Sequence, residues 1–370
     1  MSSGLAHVKN IPTEISKTIN KALNPKTFSS SNELSRYLLK NVCAHAPGRF
    51  VVVPKPYGIS CVGHAQLNGG IFKNTIHDSE KQEKWKKLIK KKENEMNDIT
   101  ISECIGELRH FFREPKLSFC TGLKRYLSGA IVLPCNHKDE SVLIKSIQQM
   151  SSQPEPPYMY RALAITIDQP SKFEGEMLGF GTFRNVDKHK EYIFEERRAK
   201  KRAKTGKYAV EGRMRFKTHG TANGCSLVEF SVDKFARHLP RLMLTQMGSP
   251  ILGDTIYWRR LGNVDGTPTL ITAGQKGHKI WIPANLGKIV GIENPRELLT
   301  SLPIFCHVYN TVFENVGGHE RGLMAGCKPP THFMAMMELL GLMPAYRNFA
   351  QSEDDEQLID NVEARGETHF

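Results

Sequence analysis

Apolar residues at helical spacing alternate with short apolar runs along most of this chain. Ser30-Ser31-Asn32-Glu33 is a capping-box pattern, and Leu34, Tyr37, Leu38 and Val42 behind it share one helical face. After a Gly48-Arg49 break, the run Phe50-Val51-Val52-Val53 predicts a strand. Lys55-Pro56-Tyr57-Gly58-Ile59 predicts a turn, because proline fixes one backbone angle and glycine permits another. The lysine-rich stretch 81–95, with Trp85, Leu88 and Ile89 on one side, predicts an amphipathic basic helix. A further helix near 102–112 carries Ile105, Leu108, Phe111 and Phe112. A strand at 129–135, a helix around 139–150 and a strand from Tyr158 to Ile165 come next. Residues 170–210 read as a polar connection. Strands at 211–218 and 225–232, joined by a glycine-containing link, predict a hairpin. A helix from about 238 to 247 follows, with Gly248 placed to cap it. Leu302 to Val308 reads as a late strand, and Thr331 to Leu342 as a Met-rich core helix. The acidic tail after 350 predicts disorder. No internal repeat stands out. The elements do not alternate as a parallel sheet requires, so the pattern predicts mixed α and β structure with antiparallel pairing.

Composition narrows the partners. The chain has 370 residues, 39% hydrophobic and 24% charged, which is ample for a sizeable core. Lys and Arg number 51 against 38 Asp and Glu, a formal net charge of +13. That excess favours a polyanionic partner, since each neutralised phosphate releases counterions; a solvated basic surface is the other reading. Eight cysteines contain no Cys-x-x-Cys pair and no histidine at ligand spacing. They read as buried thiols in a reducing compartment, neither disulfides nor a zinc site. No apolar run reaches the roughly 18 residues that a membrane span needs. The first 30 residues hold one acid, Glu14, beside four lysines and several serines. This fits a mitochondrial presequence, or, lacking arginine, an ordinary disordered N-terminus.

The chemistry-bearing segments are Gly122-Leu123-Lys124-Arg125-Tyr126-Leu127-Ser128-Gly129, and Arg237-His238-Leu239-Pro240-Arg241 running on to Gly253-Asp254 and Tyr257. In order with Phe50 to Gly58, Tyr160-Arg161-Ala162 and Cys306-His307-Val308, they resemble the signature segments of the RluA family of RNA pseudouridine synthases. The resemblance spans roughly residues 48 to 312. It implies an α+β fold: a curved, mainly antiparallel mixed sheet flanked by helices. It also implies an extension at 1–47, a synthase-like domain at 48–345 and an acidic tail at 346–370, with no sign of an S4 domain before residue 48.

Members of that family detach uracil from its ribose, rotate it and rejoin it through carbon, without cofactor or metal. Bond cleavage leaves positive charge on the anomeric carbon, which a carboxylate beside it stabilises or captures. The target base must first leave its stack. The family's first segment reads Arg-Leu-Asp-Arg-x-Thr-Ser-Gly, and Lys124 stands at the aspartate's place. An ammonium there repels the developing cation and costs many orders of magnitude in rate. Lys124 then binds a phosphate or, if deprotonated by burial, acts as a nucleophile. Arg241 resembles the arginine that pairs with the aspartate. Opposite Lys124 it makes two like charges that need an anion between them, unless it turns to solvent or to another acid. Tyr160 resembles the tyrosine that stacks on the target base, and is equally a normal core residue. Arg125 matches the arginine that helps extrude the nucleotide. Lys55, in the Lys-Pro-x-Gly turn, and His238, at an RNA-facing position, complete the expected contacts; a structural histidine is the alternative. Thr121 and Gly122 replace the usual His-Arg, Tyr126-Leu127 departs from x-Thr, and Pro240 replaces glutamine. The basic run Arg197, Arg198, Lys200, Lys201 and Arg202 could grip phosphates, serve as a nuclear signal, or be solvated.

Scaffold residues kept and chemical ones lost imply an RNA-binding homologue with impaired catalysis, in mitochondrial RNA or ribosome metabolism. Its partner would be rRNA, mRNA or tRNA, with nuclear location the alternative. Two other readings stand: an active synthase with an unusual site, and a structural subunit held by other proteins of a mitochondrial ribonucleoprotein.

Overall fold

In the computed structural model the Ser30 hydroxyl accepts the Glu33 amide at 3.2 Å and opens the first helix, as the capping box predicts. The structure describes residues 21–62, 99–186, 189–196, 209–272, 275, 277–316 and 322–353. The expected helix at 81–95 and the run of Arg197, Arg198, Lys200, Lys201 and Arg202 lie outside the described residues, as do the first 20 positions and 354–370 of the acidic tail. In chain order the elements run α1 (Ser31–Lys40), β1 (Ala44–Ala46), β2 (Phe50–Lys55), α2 (Ile101–Phe112), β3 (Ser128–Pro134), α3 (His137–Ser152) and β4 (Tyr160–Ile167). Then come β5 (Glu174–Val186), β6 (His189–Glu196), β7 (Val210–Ala222), β8 (Cys225–Val232), α4 (Leu239–Gln246), β9 (Leu261–Val264), β10 (Thr267–Leu270) and β11 (Lys279–Ile280). Helices α5 (Leu286–Val290) and α6 (Pro295–Ser301), strands β12 (Cys306–Phe313) and β13 (Leu323–Gly326), and helix α7 (Thr331–Leu339) follow. A last helix covers 343–353.

The chain divides into two units. The first takes the described residues of Lys26–Ala162 and His307–Pro329. Its sheet is mixed: β2 pairs antiparallel with β1 and β3, β12 runs parallel to β3, and β13 runs antiparallel to β12. Every residue of β3 is buried, which explains why it reads as one apolar run rather than an alternation. Phe50 and Val52 pack with Ala130, Val132, Leu143, Met150 and Phe313 in the core of this unit. On α2, Ile101, Cys104, Ile105 and Leu108 form the buried stripe at helical spacing. Asn136 caps α3 by accepting the Asp139 amide at 2.8 Å.

The second unit takes the described residues of Met1–Pro25, Leu163–Cys306 and Pro330–Phe370. Its main strands are antiparallel, in the order β8-β7-β5-β6. The hairpin expected from 211–218 and 225–232 forms as β7 and β8, turning at Asn223 and Gly224. The polar connection expected over 170–210 is a correction: its described residues hold the long strands β5 and β6. Glycines in β5 and β7 serve close packing. A Cβ on Gly181 or Gly212 would press on Leu239, and one on Gly179 on the Phe194 ring. Helix α4 therefore seats its first turn on β5, β6 and β7. A small sheet, β10-β9-β11, was not legible in the sequence. The late strand begins at Cys306 and runs to Phe313, later than expected, because Leu302 to Phe305 lie outside it.

Both units conform to the expected α+β class. All eight cysteines are free thiols; contrary to expectation Cys43 is exposed, and Cys120 and Cys327 are half-buried. No helix among the described residues is long and apolar enough to cross a membrane.

Candidate active site

In the first unit the segment Gly122 to Leu127 is a loop, braced from behind by the end of β2. Lys55 is 1% exposed. Its amine donates to the carbonyls of Leu127 at 2.5 Å, Pro56 at 3.0 Å and Arg125 at 3.4 Å. The Gly58 amide donates to the Arg125 carbonyl at 2.9 Å, and Arg125 Nε returns a bond to the Gly58 carbonyl at 2.8 Å. Leu123 and Leu127 bury their side chains, so the loop is pinned at both ends. Ser128 Oγ meets His307 Nδ1 at 2.9 Å, and His307 Nε2 lies 3.0 Å from the Cys327 carbonyl. A carbonyl only accepts, so Nε2 carries the proton, and Nδ1 of the neutral ring accepts from the serine. The sequence singled out His307 only as part of a strand pattern; its brace on Ser128 depends on the parallel register that puts the two side by side.

Between these anchors Lys124 is exposed, and among the described residues its amine has no hydrogen bond or ion pair. Arg125 is exposed beside it. Lys55, expected as an RNA contact, faces the protein instead. Burial lowers its amine from the ordinary 10.5 to about 7, with the nearby Arg125 cation acting the same way and the Cys61 thiol opposing. Tyr160, the first residue of β4, is half-buried against the core of the same unit. Burial raises the pKa of its phenol, a hydrogen bond with Thr121 opposes that rise, and the Cys61 and Cys120 thiols add to it.

In the second unit Arg241 and His238 belong to a different constellation. Arg241, 4% exposed, makes a bidentate pair with Asp254: Nε to Oδ2 and Nη2 to Oδ1, both at 2.7 Å. Of the partners that the sequence left open for Arg241, an acid is present among the described residues. Asp254 Oδ1 also accepts the amides of Ile256 at 3.1 Å and Tyr257 at 3.0 Å. Gly253 permits this turn: at φ +81° its missing Cβ would overlap the Pro303 carbonyl. The guanidinium lies 5.0 Å over the Tyr257 ring. Tyr257 Oη meets His238 Nδ1 at 3.0 Å, and the His238 ring lies 5.4 Å from that of Tyr192. Arg237 and His238 are consecutive non-glycine residues at φ +51° and +59°, a backbone that costs about 1–2 kcal/mol at each position. Arg237 to Tyr257 read from sequence as motif letters; that they converge on one buried tyrosine did not follow from their spacing. Among the described residues no group of three or more His, Cys, Asp or Glu side chains could hold a metal ion.

No protein-family model matches the chain, and no curated protein matches it by sequence. Solved structures do match. Human RNA pseudouridylate synthase domain-containing protein 4 shares 16% identity at a TM-score of 0.55, over 84% of this chain and 96% of that one. Human RNA pseudouridylate synthase domain-containing protein 1 shares 14% at a TM-score of 0.44, over 78% and 83%. With its mixed sheet, its flanking helices and a match spanning nearly the whole of the first of these structures, the chain carries a pseudouridine synthase fold.

Proposed function

We propose that the chain binds RNA through this fold and has lost most or all of the capacity to isomerise uridine, serving mitochondrial RNA or ribosome metabolism. One observation carries the loss of catalysis. The loop that resembles the family's catalytic segment offers an exposed ammonium, Lys124, where a carboxylate must meet the ribose cation. The Tyr160 phenol hydrogen-bonds with Thr121 and is influenced by the Cys61 and Cys120 thiols, none of which is a carboxylate. The braces behind the loop, from Lys55, Gly58 and His307, hold its shape. A held loop presenting Lys124 and Arg125 suits a phosphate backbone. The fold likeness and the net charge of +13 support RNA, and the acid-poor N-terminus supports the mitochondrion.

The purified chain is expected to bind unstructured RNA with log affinity falling linearly in log salt. Lys124→Ala should reduce that slope by about 0.7, the share of one phosphate contact on a single strand. An unchanged slope and affinity would remove Lys124 from the interface and favour the structural-subunit reading. Pseudouridine mapping tests the chemistry. RNA from cells lacking the protein is expected to keep all its pseudouridines. If a specific site vanishes, and returns with the wild type but not with Lys124→Ala, the chain is an active synthase. Tagged protein found in the nucleus would overturn the mitochondrial placement.

A further inference from the structure

The second unit holds a cavity of about 700 Å³, well inside the ~300–1,000 Å³ range of small-molecule sites. Its walls come from β6, the Tyr257–Arg260 turn and the edge of the small sheet, and none from the 122–128 loop. Three kinds of group meet there. Cations come from Arg259 and Arg260, consecutive in a short 3-10 turn whose Trp258 Nε1 donates to the Trp281 carbonyl at 2.9 Å. Flat rings come from Tyr192, His238 and Tyr257, with His238 held between the other two at centroid distances of 5.4 and 5.9 Å. One carboxylate, Glu191, lines the same space.

Two buried polar atoms in this wall lack hydrogen-bond partners among the described residues: Nε of Arg260 and Nδ1 of His278. A buried guanidinium N–H left without an acceptor costs on the order of 1–3 kcal/mol, so these side chains gain by turning toward a ligand group in the cavity. His278 Nε2 lies 2.8 Å from the Arg259 carbonyl and must donate to it, which leaves Nδ1 of the neutral ring as an acceptor. The wall thus asks for an anion at the arginines and a hydroxyl or N–H at His278. Burial lowers the Arg260 pKa, and the Glu191 carboxylate opposes that shift, placing the two charges within reach of each other. A plain inorganic anion would meet Glu191 as repulsion. A ligand with a phosphate at one end and hydroxyls at the other satisfies both.

We infer that this cavity binds a ribonucleotide, its phosphate on Arg260 and Arg259, its base against the Tyr192–His238–Tyr257 rings and its ribose hydroxyls toward Glu191 and His278. The positive-φ backbone at Arg237 and His238 holds the His238 ring in the wall. The ligand is a free nucleotide or one unit of an RNA chain, which share this chemistry. The site does not rest on the loop at Lys124.

The test titrates the full chain by calorimetry with uridine and adenosine 5′-monophosphates, with uridine, with 2′-deoxyuridine 5′-monophosphate and with a short unstructured oligoribonucleotide. A monophosphate is expected to bind. Loss of the phosphate, or Arg260→Gln, should weaken binding at least about tenfold, as expected for a charge-assisted contact. The deoxy form should bind more weakly than the ribo form. Thr272→Trp, made at an exposed rim position, should block the cavity without touching the core and so controls for misfolding. If Arg260→Gln and Thr272→Trp also weaken the oligoribonucleotide, the occupant is a unit of RNA; if they weaken only the monophosphate, it is a free nucleotide. Absence of monophosphate binding, equal affinity for uridine, or binding untouched by both variants overturns the site. Loss of RNA binding in Lys124→Ala alone would bear on the loop and leave this result standing.

Discussion

An Asp254→Ala variant is expected to lose about 3–5 kcal/mol of stability in the unit that contains it. The carboxylate is 0% exposed and accepts four bonds, two from Arg241 and two from backbone amides. Removing it strands a guanidinium that is 4% exposed, and the desolvation already spent on that cation goes uncompensated. It also frees the Ile256 and Tyr257 amides and loosens the turn that carries Tyr257 toward His238. Asp254→Ala with Arg241→Leu should recover part of the loss, because the buried charge is then gone from both sides. Arg241→Lys should not substitute, since a lysine has no fork to match the two carboxylate oxygens. Urea midpoints for the two single variants and the double variant form the cycle. A single-variant cost below about 1 kcal/mol would mean that the pair behaves as a solvated surface bridge, contrary to its burial.

The second large effect lies in the pH dependence set by Lys55. Its amine titrates at about 7 in the folded chain against an ordinary 10.5. Between these values the unfolded chain holds one more proton than the folded one. Stability from this residue therefore rises as pH climbs from 7 to 10.5, by about 1.4 kcal/mol per pH unit, and is flat below that window. Lys55→Met keeps the length and the burial but removes the amine from the Pro56, Arg125 and Leu127 carbonyls. It is expected to destabilise the first unit and to lack this slope. From pH 7 to 9 the gap between wild type and variant should widen by about 2–3 kcal/mol. A gap that stays constant would mean that the three carbonyls hold the ammonium charged throughout, because their dipoles favour the cation against burial. Hydrogen exchange at the Gly58 and Leu127 amides should quicken in Lys55→Met, since the loop loses its brace.

Much of the fold was legible because it is written in local patterns. The capping box at Ser30, the apolar run of β2, the stripe on α2 and the β7–β8 hairpin each depend on residues within a few positions. The strands β5 and β6 were not legible. Their glycines look like breakers when read along the chain, and their use, letting Leu239 approach the sheet, appears only when α4 is in place. The candidate site divides in the same way. The cation at position 124 is a matter of residue identity. The inward turn of Lys55 is a matter of packing, since a lysine in a turn motif reads as a surface charge until the carbonyls that surround it are known.

The sequence by itself determined the class of the fold, the place of the loop and the cation it carries at Lys124, because propensity, periodicity and residue identity need no third dimension. Only the tertiary structure decided which groups those residues meet. Arg241 found its acid 13 positions along, His238 was set between two tyrosines, and the cavity beside Arg260 took its walls from strand, turn and small sheet. Such meetings are set by chain crossings and by the desolvation that drives each buried charge toward a partner, and neither is encoded at any single position.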